Sequence, residues 1–159
     1  MDVTTDRLVL HPIDRDEARR IRDRQPTEAD AWAPDYPFDG DIDALTALLG
    51  ATEDGGDPRP FGYYQLRVDG RAVGGIGFFG PPQDGEVEIG YGLAPSARGH
   101  AYAAEALRAM LTIAKKNGVR TVRARTETGN HPSRRTLERA GFAELRVEDG
   151  THHFEITDL

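Results

Sequence analysis

The most regular pattern of apolar positions in the chain lies between residues 102 and 117. Small and apolar side chains recur there at intervals of three and four, at Ala103, Ala106, Leu107, Met110, Leu111 and Ala114. This spacing places them on one face of a helix. Gly118 follows directly, and glycine is common just beyond a helix end. The pattern predicts an amphipathic helix over Tyr102–Asn117.

Alternation of apolar and polar residues predicts three adjacent antiparallel strands before this helix. Gly62–Val68 and Arg71–Phe79 flank Asp69-Gly70, a dipeptide typical of a tight hairpin turn. A second turn at 81–85 leads into a third strand, Glu86–Leu93. Its apolar face comprises Val87, Ile89, Tyr91 and Leu93.

The N-terminal third of the chain is predicted to contain one strand and one clearly capped helix. Arg7–Ile13 alternates as a strand does. Asp14 and Glu17 have the spacing of a capping box for a helix over Arg15–Arg24.

The remaining elements are weaker in pattern but have recognisable ends. Asp41 is expected to cap a second helix, Ile42–Leu49, which Gly50 ends. The other predicted elements are a strand at Val119–Thr126, a helix at Ser133–Ala140, and strands at Phe142–Val147 and Thr151–Ile156 joined by Asp149-Gly150. This order predicts an α/β (α+β) fold, a sheet with helices on its faces.

Length and composition narrow the class of protein. The chain has 159 residues, which predicts a single domain over 1–159. It has no cysteine, which excludes disulfides, thiolate metal sites and a cysteine nucleophile. The N-terminus lacks the pattern of a signal peptide, and no apolar run is long enough to span a membrane. We therefore expect a soluble, cytoplasmic protein that does not bind membranes.

Charge is unevenly distributed along the chain. The net charge of −7 argues against a nucleic-acid partner. Residues 25–58 contain no Lys or Arg and nine acids, whereas residues 98–139 contain ten bases and three acids. The acidic stretch could attract a cation and the basic stretch an anion, or both could be ordinary solvated surface.

The junction between the third strand and the long helix is the most informative stretch. A short loop with Arg98 and Gly99 joins them. The first amides of a helix lack intrahelical acceptors and the helix dipole is positive there, so this loop suits a diphosphate. The alternative is an ordinary strand–helix corner with an exposed arginine. Gly74–Gly77 lies inside a strand, where close backbone packing or a bulge is the better interpretation.

Several motifs, in this order, resemble the Gcn5-related N-acetyltransferases (GNAT). Arg98–Ala103 (RGHAYA) matches the family motif Gln/Arg-x-x-Gly-x-Gly/Ala except at Ala101, and Asn130–Ser133 with Gly141-Phe142 matches Asn-x-x-Ser…Gly-Phe. Thr5–Pro12 resembles the start of the branch that acetylates ribosomal-protein N-termini. The resemblance implies a central mixed, mostly antiparallel sheet with helices on both faces.

The resemblance also implies acetyl-coenzyme A as the donor, with no metal. Amides of residues 98–103 would hold the diphosphate, the pantetheine arm would follow Tyr91–Ala94, and the Leu93 amide would polarise the thioester carbonyl. The implied donor-binding set is Leu93, Ala94, Arg98, Gly99, His100, Ala101, Tyr102, Ala103, Asn130 and Arg134, with Arg135 and Arg139 as alternatives to Arg134 for the 3′-phosphate. Ala101 should have a negative φ, as a helix start requires.

An amine acceptor needs a base, because an alkyl amine is protonated near neutrality. Glu86 and Glu88 lie on one face of a strand, where mutual repulsion would suit one of them to that role. Family members often use a Glu at the place of Glu88. Leu137 stands where many members have a Tyr acid, so Ser133 becomes the candidate acid. The alternatives are a solvated strand face and, for Ser133, a helix N-cap.

The acceptor itself stays open at this point. Trp32, Tyr36 and Phe38 could wall its pocket or form a small core under a long loop. A peptide N-terminus fits the opening motif, and a small cationic amine, including an antibiotic or a polyamine, fits the acidic stretch. The alternative to an enzyme is a catalytically silent coenzyme A-binding or regulatory module. A homodimer is among the assemblies the sequence allows.

Overall fold

A computed structural model describes residues 1–159 and contains one eight-stranded sheet. The strands are β1 Val3–Thr4, β2 Val9–Pro12, β3 Tyr63–Val68, β4 Arg71–Phe78, β5 Glu86–Leu93, β6 Thr121–Glu127, β7 Ala143–Glu148 and β8 Thr151–Ile156. Their order across the sheet is β1-β2-β3-β4-β5-β6-β8-β7. Only β5 and β6 are parallel, which confirms the mixed, mostly antiparallel sheet.

Four helices accompany the sheet: α1 Arg15–Arg22, α2 Asp39–Ala51, α3 Tyr102–Lys116 and α4 His131–Arg139. Successive residues of a strand point to opposite faces. A Cβ at Gly92 would collide with Phe38, which immediately precedes α2. The neighbouring Tyr91 bonds to Ser133 of α4. The starts of α2 and α4 therefore lie on opposite faces of the sheet.

The predicted hairpins are confirmed at both Asp-Gly turns. Asp69 and Gly70 have φ of 50° and 79°, and Asp149 and Gly150 have φ of 51° and 77°. Two successive positive φ values match the type I′ turn, whose twist suits antiparallel strands. Among the strands, the sequence reasoning missed only β1, a two-residue strand at the sheet edge.

The start of α1 agrees with prediction, although the helix ends at Arg22 rather than Arg24, and the start of α2 differs. The Asp14 carboxylate accepts from the Glu17 amide at 2.8 Å, and the capping box is complete. Asp41 is not the cap of α2, because the helix begins at Asp39 after Phe38 and passes through Gly50. Asp41 instead turns inward and is 2% exposed. Its carboxylate accepts from Tyr63 in the core and from the Phe38 amide at the start of the helix.

The core joins the sheet to α3 through buried aliphatic side chains. It comprises 33 buried residues. Leu107 and Met110 of α3 are fully buried against it, as the helical spacing predicted. No helix has the length and apolar character needed to cross a membrane.

Candidate active site

The parallel strands β5 and β6 pair only at their beginnings. Glu86, Val87 and Glu88 align with Thr121, Val122 and Arg123, and no pairing follows. Beyond Glu88, β5 pairs with β4 alone. A gap therefore opens between β5 and β6 along the second half of β5.

The backbone of β5 presents free donors to this gap. Phe79 donates to the Glu88 carbonyl at 2.8 Å, and Ala94 donates to the Val73 carbonyl at 2.7 Å. Hydrogen-bonding direction alternates along an antiparallel strand, so the amides of Tyr91 and Leu93 point away from β4. They face the gap, as the predicted role of Leu93 requires.

The backbone amides of the loop before α3 form a second row of free hydrogen-bond donors. The Arg98 amide donates to the Pro95 carbonyl at 3.3 Å. The amides of residues 99–104 have no acceptor within the protein, and α3 has no side-chain cap. The row therefore lies one residue further along than the predicted 98–103. A helix of this length with uncapped N-terminal amides suits a phosphate group.

Ala101 departs from its expected conformation. Its φ is 61°, in the left-handed region, and Gly99 has φ of 85°. The expectation of a negative φ was wrong because Ala101 is the N-cap residue, outside the helix proper. An alanine there costs about 1 kcal/mol relative to a glycine. The loop keeps the shape that a glycine at this position would adopt without strain.

Two arginines, Arg98 in this loop and Arg134 in α4, could serve an anionic ligand. Arg98 Nε donates to the Leu93 carbonyl at 3.0 Å, which ties the loop to the end of β5. Arg134 Nε is buried and has no hydrogen-bond partner. An orphaned guanidinium nitrogen is costly without an acceptor. Free amides and an arginine whose Nε has no partner together fit a ligand that carries phosphate groups, such as coenzyme A.

Glu86 and Glu88 do lie on one face of β5, but each has its own arginine. Arg125 Nε donates to Glu88 at 2.6 Å, and Arg123 donates to Glu86 at 3.2 Å. These pairs line an open cavity of about 470 Å³ on the surface. Mutual repulsion is therefore not the main influence on either carboxylate. Exposed ion pairs are weak, so Glu88 can exchange Arg125 for another cation.

Gly90 and Gly92 lie on the same face of β5 as Glu88, between Glu88 and the end of the strand. We call these two residues the glycine floor. A Cβ at Gly90 would lie 2.7 Å from the Phe79 ring, and one at Gly92 would collide with Phe38. A Cβ at Gly75 would collide with Tyr63. The predicted close packing at Gly74–Gly77 is thus confirmed, and aromatic rings lie on the backbone here.

The three predicted acceptor-pocket aromatics separate into two environments. Tyr36 is buried, with Trp32 packed edge-on against it at 5.6 Å. Phe38 is half-buried on Gly92, with the Arg98 guanidinium 5.7 Å from its ring centre. Of the three, only Phe38 borders both the glycine floor and the loop before α3. Trp32 and Tyr36 adopt the small-core arrangement that was the alternative.

A buried network of polar side chains holds the backbone at Phe38 in place. Tyr63 donates to Asp41 at 2.9 Å and shares a 2.9 Å hydrogen bond with Tyr36. Asp41 also accepts from the Phe38 amide at 3.3 Å. Burial raises the pKa of Asp41 to about 6, against hydrogen bonds that lower it. The network fixes the chain where it enters α2.

Ser133 meets a partner that the sequence reasoning did not connect to it. The Tyr91 hydroxyl lies 2.8 Å from Ser133 Oγ, and burial raises the pKa of Tyr91 to about 12. Asn130, not Ser133, caps α4, because its side chain accepts from the Ser133 amide at 3.2 Å. The signal for Tyr91 was a phenol on an otherwise aliphatic strand face. Leu137 is fully buried.

The carboxylates of the acidic stretch are largely bound within the protein. Asp30 pairs with Arg20 at 2.8 Å, and Asp57 pairs with Arg59 at 2.6 Å. Asp35 accepts from the Ser96 amide at 2.7 Å, which lowers its pKa. With Asp41 buried, the carboxylates without a bonded partner are those of Glu28, Asp43 and Glu53.

Comparison with known proteins identifies the family. A family model described as an acetyltransferase (GNAT) domain matches residues 7–143. The chain belongs to the GNAT family. The match covers β2, the gap between β5 and β6, the loop before α3 and the whole of α4.

Similar proteins agree with the GNAT assignment. An uncharacterized N-acetyltransferase, YjdG of Bacillus subtilis, is 39% identical over 72 residues, which span 44% of this chain and 43% of that protein. A GNAT-family acetyltransferase from Bordetella pertussis is 27% identical, with a TM-score of 0.66 over 98% of this chain and 97% of the other.

Two solved structures named as RimL and RimJ share the fold. RimL, a ribosomal L7/L12 alpha-N-protein acetyltransferase in complex with coenzyme A, has a TM-score of 0.71 at 15% identity and covers 99% of this chain and 98% of its own. Mycobacterium smegmatis RimJ, in complex with a coenzyme A disulfide, has a TM-score of 0.66 at 24% identity over 94% and 81%.

Proposed function

We propose that this GNAT protein transfers an acetyl group from acetyl-coenzyme A to a primary amine. The observation that carries the proposal is the row of unpaired amides at residues 99–104, beside a strand end whose Leu93 amide faces an open gap. The absence of cysteine leaves no thiol to carry an acetyl group. Transfer is therefore direct, between donor and acceptor held together.

The donor side uses backbone amides and arginines. Amides 99–104 and Arg98 would hold the diphosphate, and the unpaired Nε of Arg134 favours it over Arg135 and Arg139 for a further phosphate. Asn130 would contact the pantetheine. Acetyl-coenzyme A supplies an acetyl group activated as a thioester. The Leu93 amide would donate to its carbonyl oxygen, where negative charge develops.

Proton transfer is assigned to groups on either side of β5. Glu88 takes the proton of the acceptor ammonium, directly or through water, after exchanging its Arg125 partner. Glu86 is the alternative base. Ser133 donates to the departing thiolate, the Tyr91 hydroxyl at 2.8 Å can return a proton to Ser133, and water reprotonates Tyr91.

A peptide N-terminus is the acceptor that the charges favour. Internal partners bind most carboxylates of the acidic stretch, so little remains there to select a polycation. Near Glu88, Arg123 and Arg125 are held in exposed pairs with the two carboxylates of β5, and they could exchange these partners for carbonyl or carboxylate groups of a peptide. RimL, which shares the fold, is named as a ribosomal L7/L12 alpha-N-protein acetyltransferase.

The test measures thiol release from acetyl-coenzyme A with matched acceptors. We expect turnover with peptides that have a free N-terminus and none with the same peptides blocked at that amine. A polyamine and an aminoglycoside serve as cationic competitors, and faster turnover with either would reverse the acceptor assignment. Coenzyme A binding by calorimetry without turnover on any amine would instead identify a silent binding module.

A further inference from the structure

Arg7 bridges the start of β2 to the loop before α3. Its Nη1 donates to the His100 carbonyl at 2.7 Å, and its Nε donates to Glu105 at 2.7 Å. The same guanidinium lies 4.8 Å from the centre of the Tyr102 ring. One side chain thus contacts the loop and two residues in the first turn of α3.

Glu105 accepts most of the hydrogen bonds that hold this bridge in place. Its side chain is only 11% exposed and accepts from the Arg7 amide at 2.8 Å and from the Thr5 hydroxyl. Burial acts to raise the pKa of Glu105, but the hydrogen bonds from Thr5 and Arg7 outweigh it and lower the pKa. Leu8, buried in the core, anchors the chain beside the bridge.

The loop has few other restraints. Gly99 and Ala101 both have positive φ, and the amides of residues 99–104 bond to nothing in the protein. Arg98 holds one end of the loop through Leu93. The bond from Arg7 to His100 holds the other. A strained loop with free amides keeps one shape only when its surroundings fix it.

We propose that Thr5, Arg7 and Glu105 form a clamp that positions the loop before α3 for the diphosphate of the donor. The inference rests on the proposed function and assigns positioning roles to three residues outside the donor-binding set. Arg7 acts on the donor through the His100 carbonyl, and Glu105 acts through Arg7.

Substitution of Glu105 separates positioning from simple electrostatics. Glu105 is an acid in the first turn of α3, where its charge repels a bound diphosphate. Electrostatics alone therefore predicts tighter coenzyme A binding in Glu105→Ala, whereas loss of the clamp predicts weaker binding. We expect the clamp to dominate, with affinity reduced by about ten-fold, the scale of one charge-assisted hydrogen bond.

The experiment compares acetyl-coenzyme A with acetyl-pantetheine, which has no diphosphate. In Glu105→Ala and Arg7→Gln, kcat/KM should fall about ten-fold with acetyl-coenzyme A and stay unchanged with acetyl-pantetheine. Arg7→Lys keeps the charge but loses the double bridge, so it should recover part of the loss. Arg71→Gln, an exposed arginine at the start of β4, is the matched control.

An equal fall in kcat/KM with both donors would show that the three residues only stabilise the fold, and would overturn the proposal. Normal or tighter coenzyme A binding in Glu105→Ala would overturn it as well. If the wild type binds coenzyme A but acetylates no amine, the proposed activity fails. Dissociation constants of the same variants for coenzyme A and pantetheine then decide on the clamp. A wild type that binds no coenzyme A overturns both.

Discussion

The acidic stretch and the loop before α3 differ in what the fold leaves unpaired. In the acidic stretch, Asp30 and Asp57 have arginine partners, Asp35 has a backbone amide, and Asp41 is buried. In the loop, the amides of residues 99–104 have no acceptor. The stretch with more formal charge offers fewer groups to a ligand than the loop of small residues.

This difference shows that formal charge is a poor guide to a binding site. A charge that already has a partner contributes little to the field felt by a ligand. A neutral amide at a helix N-terminus, without an acceptor, is ready to bind an anion. The following predictions challenge or refine that comparison.

Glu88 is the strongest challenge, because it is paired with Arg125 and yet is the proposed base. In Glu88→Gln we expect kcat to fall by about 10²–10⁴-fold near pH 7, with partial recovery at high pH where more acceptor is neutral. Steady-state kinetics against pH measure this. Arg125→Gln controls for the broken ion pair, and Glu86→Gln for a second carboxylate on the strand. Loss of activity in Glu86→Gln but not in Glu88→Gln would reassign the base.

Arg98 tests whether the loop is the donor site. Arg98→Glu removes the bond to the Leu93 carbonyl and brings a negative charge beside the unpaired amides. Coenzyme A affinity should fall by about 10- to 100-fold, measured by calorimetric titration. Arg108→Glu makes the same charge change on the exposed side of α3 and should leave the affinity nearly unchanged. Equal effects of the two substitutions would indicate a general charge effect instead of a local site.

Asp41 tests whether the acidic stretch is structural. Its pKa is raised from 3.8 to about 6 by burial, so the folded protein binds its proton more tightly than the unfolded chain. The corresponding stabilisation is present below about pH 4 and is lost as pH rises through 6, up to about 3 kcal/mol of unfolding free energy. Asp41→Asn should not show this loss.

Denaturant unfolding from pH 4 to 8 measures the effect of Asp41. The unfolding free energy of Asp41→Asn relative to wild type should rise with pH across this range. The exposed neighbour Asp43 provides the control, since Asp43→Asn should follow the wild-type profile. Parallel profiles for wild type and Asp41→Asn would show that Asp41 titrates normally.

Ala101 tests the strain in the loop. Ala101→Gly places glycine at a φ of 61° and should raise the unfolding free energy by about 1 kcal/mol or less. Thermal unfolding of the free protein is the measurement. Alanine-to-glycine substitution at the exposed, helical Ala47 is the contrast and should destabilise, so a loss at both positions would contradict the left-handed conformation.

The smallest expected effect is that of salt on the acceptor. Because only Glu28, Asp43 and Glu53 of the acidic stretch lack a bonded partner, the KM of a cationic amine should barely change between low and high ionic strength. A KM that rises steeply with salt, and less so in Asp43→Asn, would restore the acidic stretch as a steering surface.

The sequence by itself determined the elements whose signals are local. The spacing of Leu107 and Met110 defined α3, and the two Asp-Gly dipeptides defined their hairpins, because helix periodicity and turn conformation depend on near neighbours. The motif at Arg98–Ala103 placed the candidate donor loop to within one residue of the unpaired amides. The family assignment followed from such motifs in order.

Only the tertiary structure decided which groups meet across the fold. Asp41 became a core residue because Tyr63, distant in sequence, donates to it. Pairing of β5 with β6 places Arg125 next to Glu88, and packing of α4 on the sheet places Ser133 next to Tyr91. The bridge from Arg7 to Glu105 joins positions 98 residues apart. Such partners depend on chain topology, which local patterns do not encode. The sequence therefore pointed to individual residues of the site but not to the groups that surround them.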